Sequence, residues 1–419
     1  MYKKTVLENG VRIVSERVDH LKSLSLGIWV DAGSRDERPE NNGISHFIEH
    51  MIFKGTTRRS SLEIAKELDA IGGLSNAFTG KESTCFHARV LGKHFHALSD
   101  ILSDIFLNSL FDRQDMEMER QVILQEISMV EDTPEENIHV IFTRLFWPDH
   151  PLGMPILGTE DTVGAITRNS ILEYMKIHYR PNRILIVAAG DVHHDELVGY
   201  FAPLFEGLDG LPGDPSRQRP NPNAGVLSME KDLEQVHLCI GGEAPSLQDP
   251  KRFAAAIFST ILGGNMSSRL FQEIREKRGL AYTVYSFLSP YIDTGLLAVY
   301  AATDPSNITS VLETIYLEIN KMLKGEIAES ELEAAKEHLV GGLYLGSDST
   351  DSRMMRLAKN EMIFGRPITY EELARGLEGV SLDDVVEAAN RIFQDGKVCT
   401  ATLGPVSSGM MEEWRPCFS

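Results

Sequence analysis

Two apolar spacings take turns along this chain, one of two residues and one of three to four, and each predicts a different element. Residues 4–18 form two short runs about Asn9-Gly10, a dipeptide that accepts positive φ and predicts a hairpin. Residues 23–30 read as a further strand. From 43 to 54 the step lengthens: Ile44, Phe47, Ile48, Met51 and Ile52 share one side of a helix. Ser60 and Ser61 can cap a second helix over 62–71, which Gly72-Gly73 ends. Strands follow over 74–78 and 83–91, and long helices over 94–110, 113–131 and 135–146. A strand over 184–189 and a helix over 194–205 close the first half.

Residues 207–225 break the pattern with proline and glycine and almost no apolar period, which predicts an exposed linker. The order then repeats. A strand over 236–241 leads to helices over 253–262 and 268–277, and strands over 280–288 and 296–302. Helices over 308–323, 329–345, 350–364 and 382–393 precede a last strand over 398–403. This predicts two similar α+β domains, residues 1–206 and 226–419, each a mostly antiparallel sheet with helices on one face.

Composition narrows the function classes. The 419 residues suit two domains, and 42% hydrophobic with 24% charged residues is ordinary globular content. A net charge of −20 argues against a nucleic-acid binder. The cysteines (Cys85, Cys239, Cys399 and Cys417) are far apart, so no disulfide framework is expected. No apolar run of 18 residues or secretory leader stands out, so a cytoplasmic location away from membranes is the expectation.

The chemistry concentrates in the helix predicted over 43–54. His46 and His50 are four residues apart and can turn their imidazoles toward one ion. Glu49 lies on the adjoining part of that face, where it can reach a water without being a ligand. Zinc brings the pKa of such a water toward ~7, within reach of a carboxylate base. A catalytic zinc site needs a third protein ligand and an open position. Glu119 and Glu126, two helical turns apart, share one face of the helix predicted over 113–131. Either could bind metal while the other orients a histidine. The pattern by itself does not choose between them, and a solvated acidic face is the plain alternative.

The runs HFIEHMIFKGT, NAFTGKEST and ERQVILQEI resemble the pitrilysin family of inverted-motif (HxxEH) zinc metallopeptidases. The likeness is strongest to the mitochondrial-processing-peptidase-like branch and its bacterial members. It implies that the glutamate 76 residues beyond the second histidine, Glu126, completes the ligand set, with Glu119 in support. It further implies one Zn2+ per chain, with Glu49 as the base. Asn76, Ala77 and Phe78 would lie on an edge strand that pairs with an extended substrate. In the second half, Arg275 and Tyr282 match an arginine–tyrosine pair that serves the substrate carbonyl.

The function expected from this resemblance is a zinc endopeptidase acting on peptides or unfolded segments in an enclosed chamber, assembled as a homodimer. A preference for basic peptides is expected from the −20 charge and the acidic run at 131–136. The same fold also serves as a non-catalytic or partner-dependent subunit of processing-peptidase-like complexes. Such subunits typically lose the metal motif, the arginine–tyrosine pair, or both; this chain keeps both. His87, His94 and His96 are given no role.

Overall fold

The computed structural model describes residues 1–210, 216–394 and 397–407. The chain forms two compact units, and neither is contiguous. The first comprises Met1–Met129, Met154–Gln218 and Gly346–Pro367. The second comprises Val130–Gly153, Arg219–Leu345 and the described part of Ile368–Ser419.

The first unit is built on six strands: β1 (Tyr2–Val6), β2 (Arg12–Arg17), β3 (Ser23–Val30), β4 (Leu74–Thr79), β5 (Thr84–Leu91) and β6 (Ile184–Gly190). They lie in the order β1-β2-β6-β3-β5-β4, antiparallel except where β2 runs parallel to β6. Gly10, at φ 98°, turns the chain between β1 and β2 as the Asn9-Gly10 pair requires. Because side chains alternate across a strand, β3 sends Leu24, Leu26, Ile28 and Val30 to one face and Trp29 to the other. On the first face they pack with the helices Phe95–Asn108 and His194–Phe205. On the second, Val14, Trp29, Leu185 and Val187 meet Met354, Leu357 and Ala358 of the helix Thr350–Phe364.

The second unit repeats this plan with β7 (Gly225–Glu230), β8 (Val236–Glu243), β9 (Ala281–Pro290), β10 (Gly295–Thr303) and β11 (Cys399–Gly404). Their order is β7-β11-β8-β10-β9, again with one parallel pair, β7 and β11. The helices Arg252–Gly263, Ile308–Leu323 and Leu382–Ile392 cover one face. The helix Pro134–Phe146 covers the other, setting Ile138, Phe142 and Phe146 against Ala298, Tyr300 and Leu403. Each sheet therefore takes the helix of its second face from the opposite half of the sequence.

That exchange corrects the contiguous domains 1–206 and 226–419. The segments around 134–146 and 350–364 are amphipathic helices whose apolar sides fit the sheet of the other half. The linker reading of 207–225 also needs amendment. Its residues 211–215 lie outside the described chain, but Arg217 is tied down within the first unit. Arg217 pairs with Asp31 at 2.9 Å and Asp36 at 2.8 Å, and the Gln218 carbonyl accepts from Arg35 at 2.6 Å. Three helices that the spacing did not predict are Glu160–Ala165, Arg168–His178 and Tyr370–Glu378. Edge strand β7, which begins at the last residue of that linker, was not predicted either; half of its side chains face solvent.

Candidate metal centre

The site begins with a helix of two turns, Ile44–Met51. Its Ile44, Phe47, Ile48 and Met51 are buried against Met116, Ile123 and Ile127 of the helix Arg113–Asp132. The Arg120 guanidinium lies 5.4 Å from the Phe47 ring centre and donates to the carbonyls of Val163 and Ile166. With these sides joined, His46, Glu49 and His50 are left on the side of the short helix that Glu126 approaches.

Glu126 Oε2 lies 3.6 Å from His46 Nε2 and 3.5 Å from His50 Nε2, and the two rings sit edge-on with centroids 4.6 Å apart. Tetrahedral ligands at zinc distances of about 2.0–2.1 Å lie roughly 3.3–3.4 Å from one another. The Glu126 oxygen thus stands close to the zinc-ligand spacing from both Nε2 atoms, and the three donors, all within 4.8 Å of one another, form a candidate metal-binding group among the described residues.

The second glutamate meets a different atom. Glu119 Oε2 is 3.0 Å from His50 Nδ1, and its other oxygen pairs with the Lys54 ammonium. A carboxylate accepting from Nδ1 fixes the tautomer that leaves the Nε2 lone pair free for a metal. Burial, with His50 alongside, pulls the His46 ring down to about 4, which keeps it neutral and able to ligate at neutral pH. Glu49 is displaced the opposite way: burial raises its carboxyl, against a hydrogen bond with Thr79. His46 Nδ1 and Glu49 Oε2 are buried without a hydrogen-bond partner, which leaves both atoms uncommitted to the surrounding fold. The donor set, its spacing and these atoms fit zinc.

Thr79 ends β4 and is hydrogen-bonded with Glu49, so the strand of Asn76, Ala77 and Phe78 is joined to the helix Ile44–Met51. The Thr79 hydroxyl also reaches the Ser45 carbonyl at 3.4 Å. β4 is the last strand of its sheet. Asn76 is exposed, Ala77 packs toward one face of the sheet and Phe78 toward the other. The Ala77 N–H donates to Asn76 Oδ1 at 2.9 Å in an exposed contact.

Arg275 and Tyr282 belong to the second unit. The segment read as a helix over 268–277 contains a π-helical turn, Phe271–Glu276, a widened turn of the kind that recurs at functional sites. Gly279, at φ 59°, ends it and β9 follows. The Arg275 guanidinium lies 4.7 Å from the ring centres of both Phe271 and Tyr282. Tyr282 is 77% exposed, so its phenol is open to a partner.

Lys54, paired with Glu119, and Thr79, hydrogen-bonded with Glu49, lie inside two of the motif runs but drew no role from the sequence. Their chemistry is visible only once Glu119 and Glu49 are beside them.

Two family models match the chain: Insulinase (peptidase family M16) over residues 12–160, and the peptidase M16 inactive domain over residues 165–339. A Bacillus subtilis protein named as the uncharacterized zinc protease YmxG is 38% identical, across 94% of this chain and 96% of that protein. The chain belongs to peptidase family M16. An uncharacterized zinc protease of Streptomyces coelicolor is 39% identical, across 96% of this chain and 90% of its own. The M16 fold extends to a protease from Helicobacter pylori, with a TM-score of 0.89 at 22% identity over 97% of this chain and 99% of that one. A peptidase M16 inactive domain from Pseudomonas fluorescens has the same TM-score at 19% identity, over 97% and 98%. His46, Glu49, His50, Glu119 and Glu126 all fall within the Insulinase match. No helix among the described residues is long and apolar enough to cross a membrane.

Proposed function

We propose that this M16 member is a zinc-dependent endopeptidase that hydrolyses peptides or unfolded polypeptide segments, held as an added strand along β4. The observation that carries the proposal is the meeting of His46 Nε2, His50 Nε2 and Glu126 Oε2 beside a buried Glu49. A bound zinc ion supplies Lewis-acid polarisation of the scissile carbonyl and of the attacking water. Glu49 takes a proton from that water as its oxygen bonds to the carbonyl carbon. It returns the proton to the leaving nitrogen as the C–N bond breaks. The raised carboxyl of Glu49 suits both steps, because a base of higher pKa holds the proton until the amine needs it. Glu119 holds His50 in its ligating tautomer. β4 offers main-chain groups that bind many sequences alike, those of Asn76, Ala77 and Phe78 among them.

Arg275 and Tyr282 are proposed to serve the substrate carbonyl, the phenol donating to its oxygen and the guanidinium anchoring the chain. Their mutual stacking supports a joint role. A homodimer enclosing the peptide and a preference for basic peptides complete the proposal. The first rests on family resemblance and the second on the net charge of −20.

The test is a digest of matched basic and acidic peptides by the protein expressed alone, beside Glu49→Gln, with zinc content measured in both. The expected result is one zinc per chain in each and cleavage by the wild type only, faster for basic peptides at low salt. Loss of a general base of this kind typically costs about 10²–10⁴ in rate. Hydrolysis unchanged in Glu49→Gln removes it as the base. Zinc bound with no hydrolysis by the wild type alone favours the partner-dependent subunit.

A further inference from the structure

The metal helix lacks a capping side chain of its own. Gly43 stands at its N-cap with φ 94°, and a Cβ there would lie 2.6 Å from the Leu157 carbonyl oxygen. The serine, threonine or aspartate that usually closes a helix start is therefore barred from this position. The first N–H groups of a helix still need acceptors, the more so where they are buried.

Glu37 meets that need from six residues upstream. Its Oε2 accepts from the Gly43 N–H at 2.8 Å and from the Asn42 side-chain amide at 2.9 Å. Its Oε1 accepts from the Ser45 N–H at 2.9 Å. The residue is 3% exposed, and all three donors are themselves buried or half-buried. A carboxylate here also faces the positive end of the helix dipole. Ser45 immediately precedes His46, so this clamp bears on the residue next to a metal ligand. The same stretch grips the β4–β5 turn: the Ser34 N–H donates to the Gly80 carbonyl at 3.1 Å and the Arg35 N–H to the Lys81 carbonyl at 2.7 Å. The segment 34–37 thus touches both the helix start, through Glu37, and the turn after β4, through Ser34 and Arg35.

We infer that Glu37 is a positioning residue of the metal centre, a remote cap that holds the start of the helix Ile44–Met51 so that His46 and His50 meet Glu126 in register. The inference rests on the zinc reading above. Burial is the larger influence on the Glu37 carboxyl and pushes it up to about 7, while its N–H donors act the other way. Measurements at pH 8 keep the carboxylate ionised.

The experiment compares Glu37→Gln with wild type and with Glu318→Gln, a glutamate equally buried in the second unit, where it pairs with Arg269 and Lys321. The glutamine offers a donor where Glu37 presents only acceptors. Zinc affinity is read by chelator competition, ligand geometry by the visible spectrum of the cobalt-substituted protein, and the cap by hydrogen exchange in the metal-free protein. Glu37→Gln is expected to weaken zinc binding at least about tenfold, as loss of a supporting group around a metal site does, and to alter the cobalt spectrum. The Gly43 and Ser45 amides are expected to exchange faster while those of β3 and β6 do not. If Glu37→Gln fails to fold, Glu37→Asp, which keeps the charge and loses reach, takes the same comparison. A loss of affinity no greater than that in Glu318→Gln overturns the inference. So does an unchanged cobalt spectrum. A wild-type chain that binds no zinc overturns this inference and the peptidase reading together, whereas a zinc-binding wild type with an unaffected variant overturns the inference alone.

Discussion

Glu119 sets one oxygen 3.0 Å from His50 Nδ1 and the other against Lys54, whereas Glu126 approaches the Nε2 atoms of both histidines. The two glutamates share a helix face, so spacing alone could not separate them. What separates them is where the rings of another helix fall along that face, which is a tertiary fact. Substituting Glu119 by Gln should leave all three ligands in place and weaken zinc binding by roughly 10–100-fold. Competition with a chromophoric chelator measures this. An affinity equal to wild type would reduce Glu119 to an ordinary ion-pair partner of Lys54. His46, Glu49 and His50 were legible from the sequence because one helical period fixes their mutual placement. Thr79 was not, because its link to Glu49 depends on how β4 ends beside that helix.

At the scale of elements, β4 joins two jobs. It closes one side of the sheet, and its last residue is hydrogen-bonded to Glu49. Proline at position 77 removes one exposed N–H from this strand, and edge strands are where a sheet tolerates proline. Ala77→Pro should therefore raise KM roughly 2–10-fold, the order expected when a main-chain hydrogen bond to a bound strand is lost, while zinc affinity stays at the wild-type value. Steady-state kinetics on one peptide, with parallel zinc titration, read both quantities. An unchanged KM would move the substrate away from β4. The strongly periodic helices, such as Phe95–Asn108 and Ile308–Leu323, were legible because one side of each is buried along its full length. Arg168–His178 was not, since only Ile171, Tyr174 and His178 of its eleven residues are buried. In β7, no residue is fully buried, which left no alternation to read.

The whole molecule is organised by an exchange of helices between the sequence halves. Hydrophobic spacing identified both exchanged segments as helices, but periodicity does not say which sheet a helix will cover. Without the helix Thr350–Phe364, the second face of the first sheet would leave Val14, Trp29, Leu185 and Val187 in water. Burying such side chains is worth roughly 1.5–3 kcal/mol each, comparable in sum with the net stability of a domain. Residues 1–206 expressed alone should therefore aggregate or unfold without a cooperative transition, while the full chain melts cooperatively; calorimetry and light scattering distinguish the cases. A soluble, cooperatively folding fragment would show that the exchanged helix is dispensable.

The claim on which the functional account turns is that one ion is shared by His46, His50 and Glu126. Anomalous diffraction at the zinc edge, from crystals of the zinc-loaded full chain, tests it most directly. The account predicts a single site peak about 2.0–2.1 Å from both Nε2 atoms and about 2.0–2.2 Å from a Glu126 oxygen, with Glu49 outside bonding range. No peak between the histidines, or a peak that Glu126 does not reach and no other acid replaces, would contradict it.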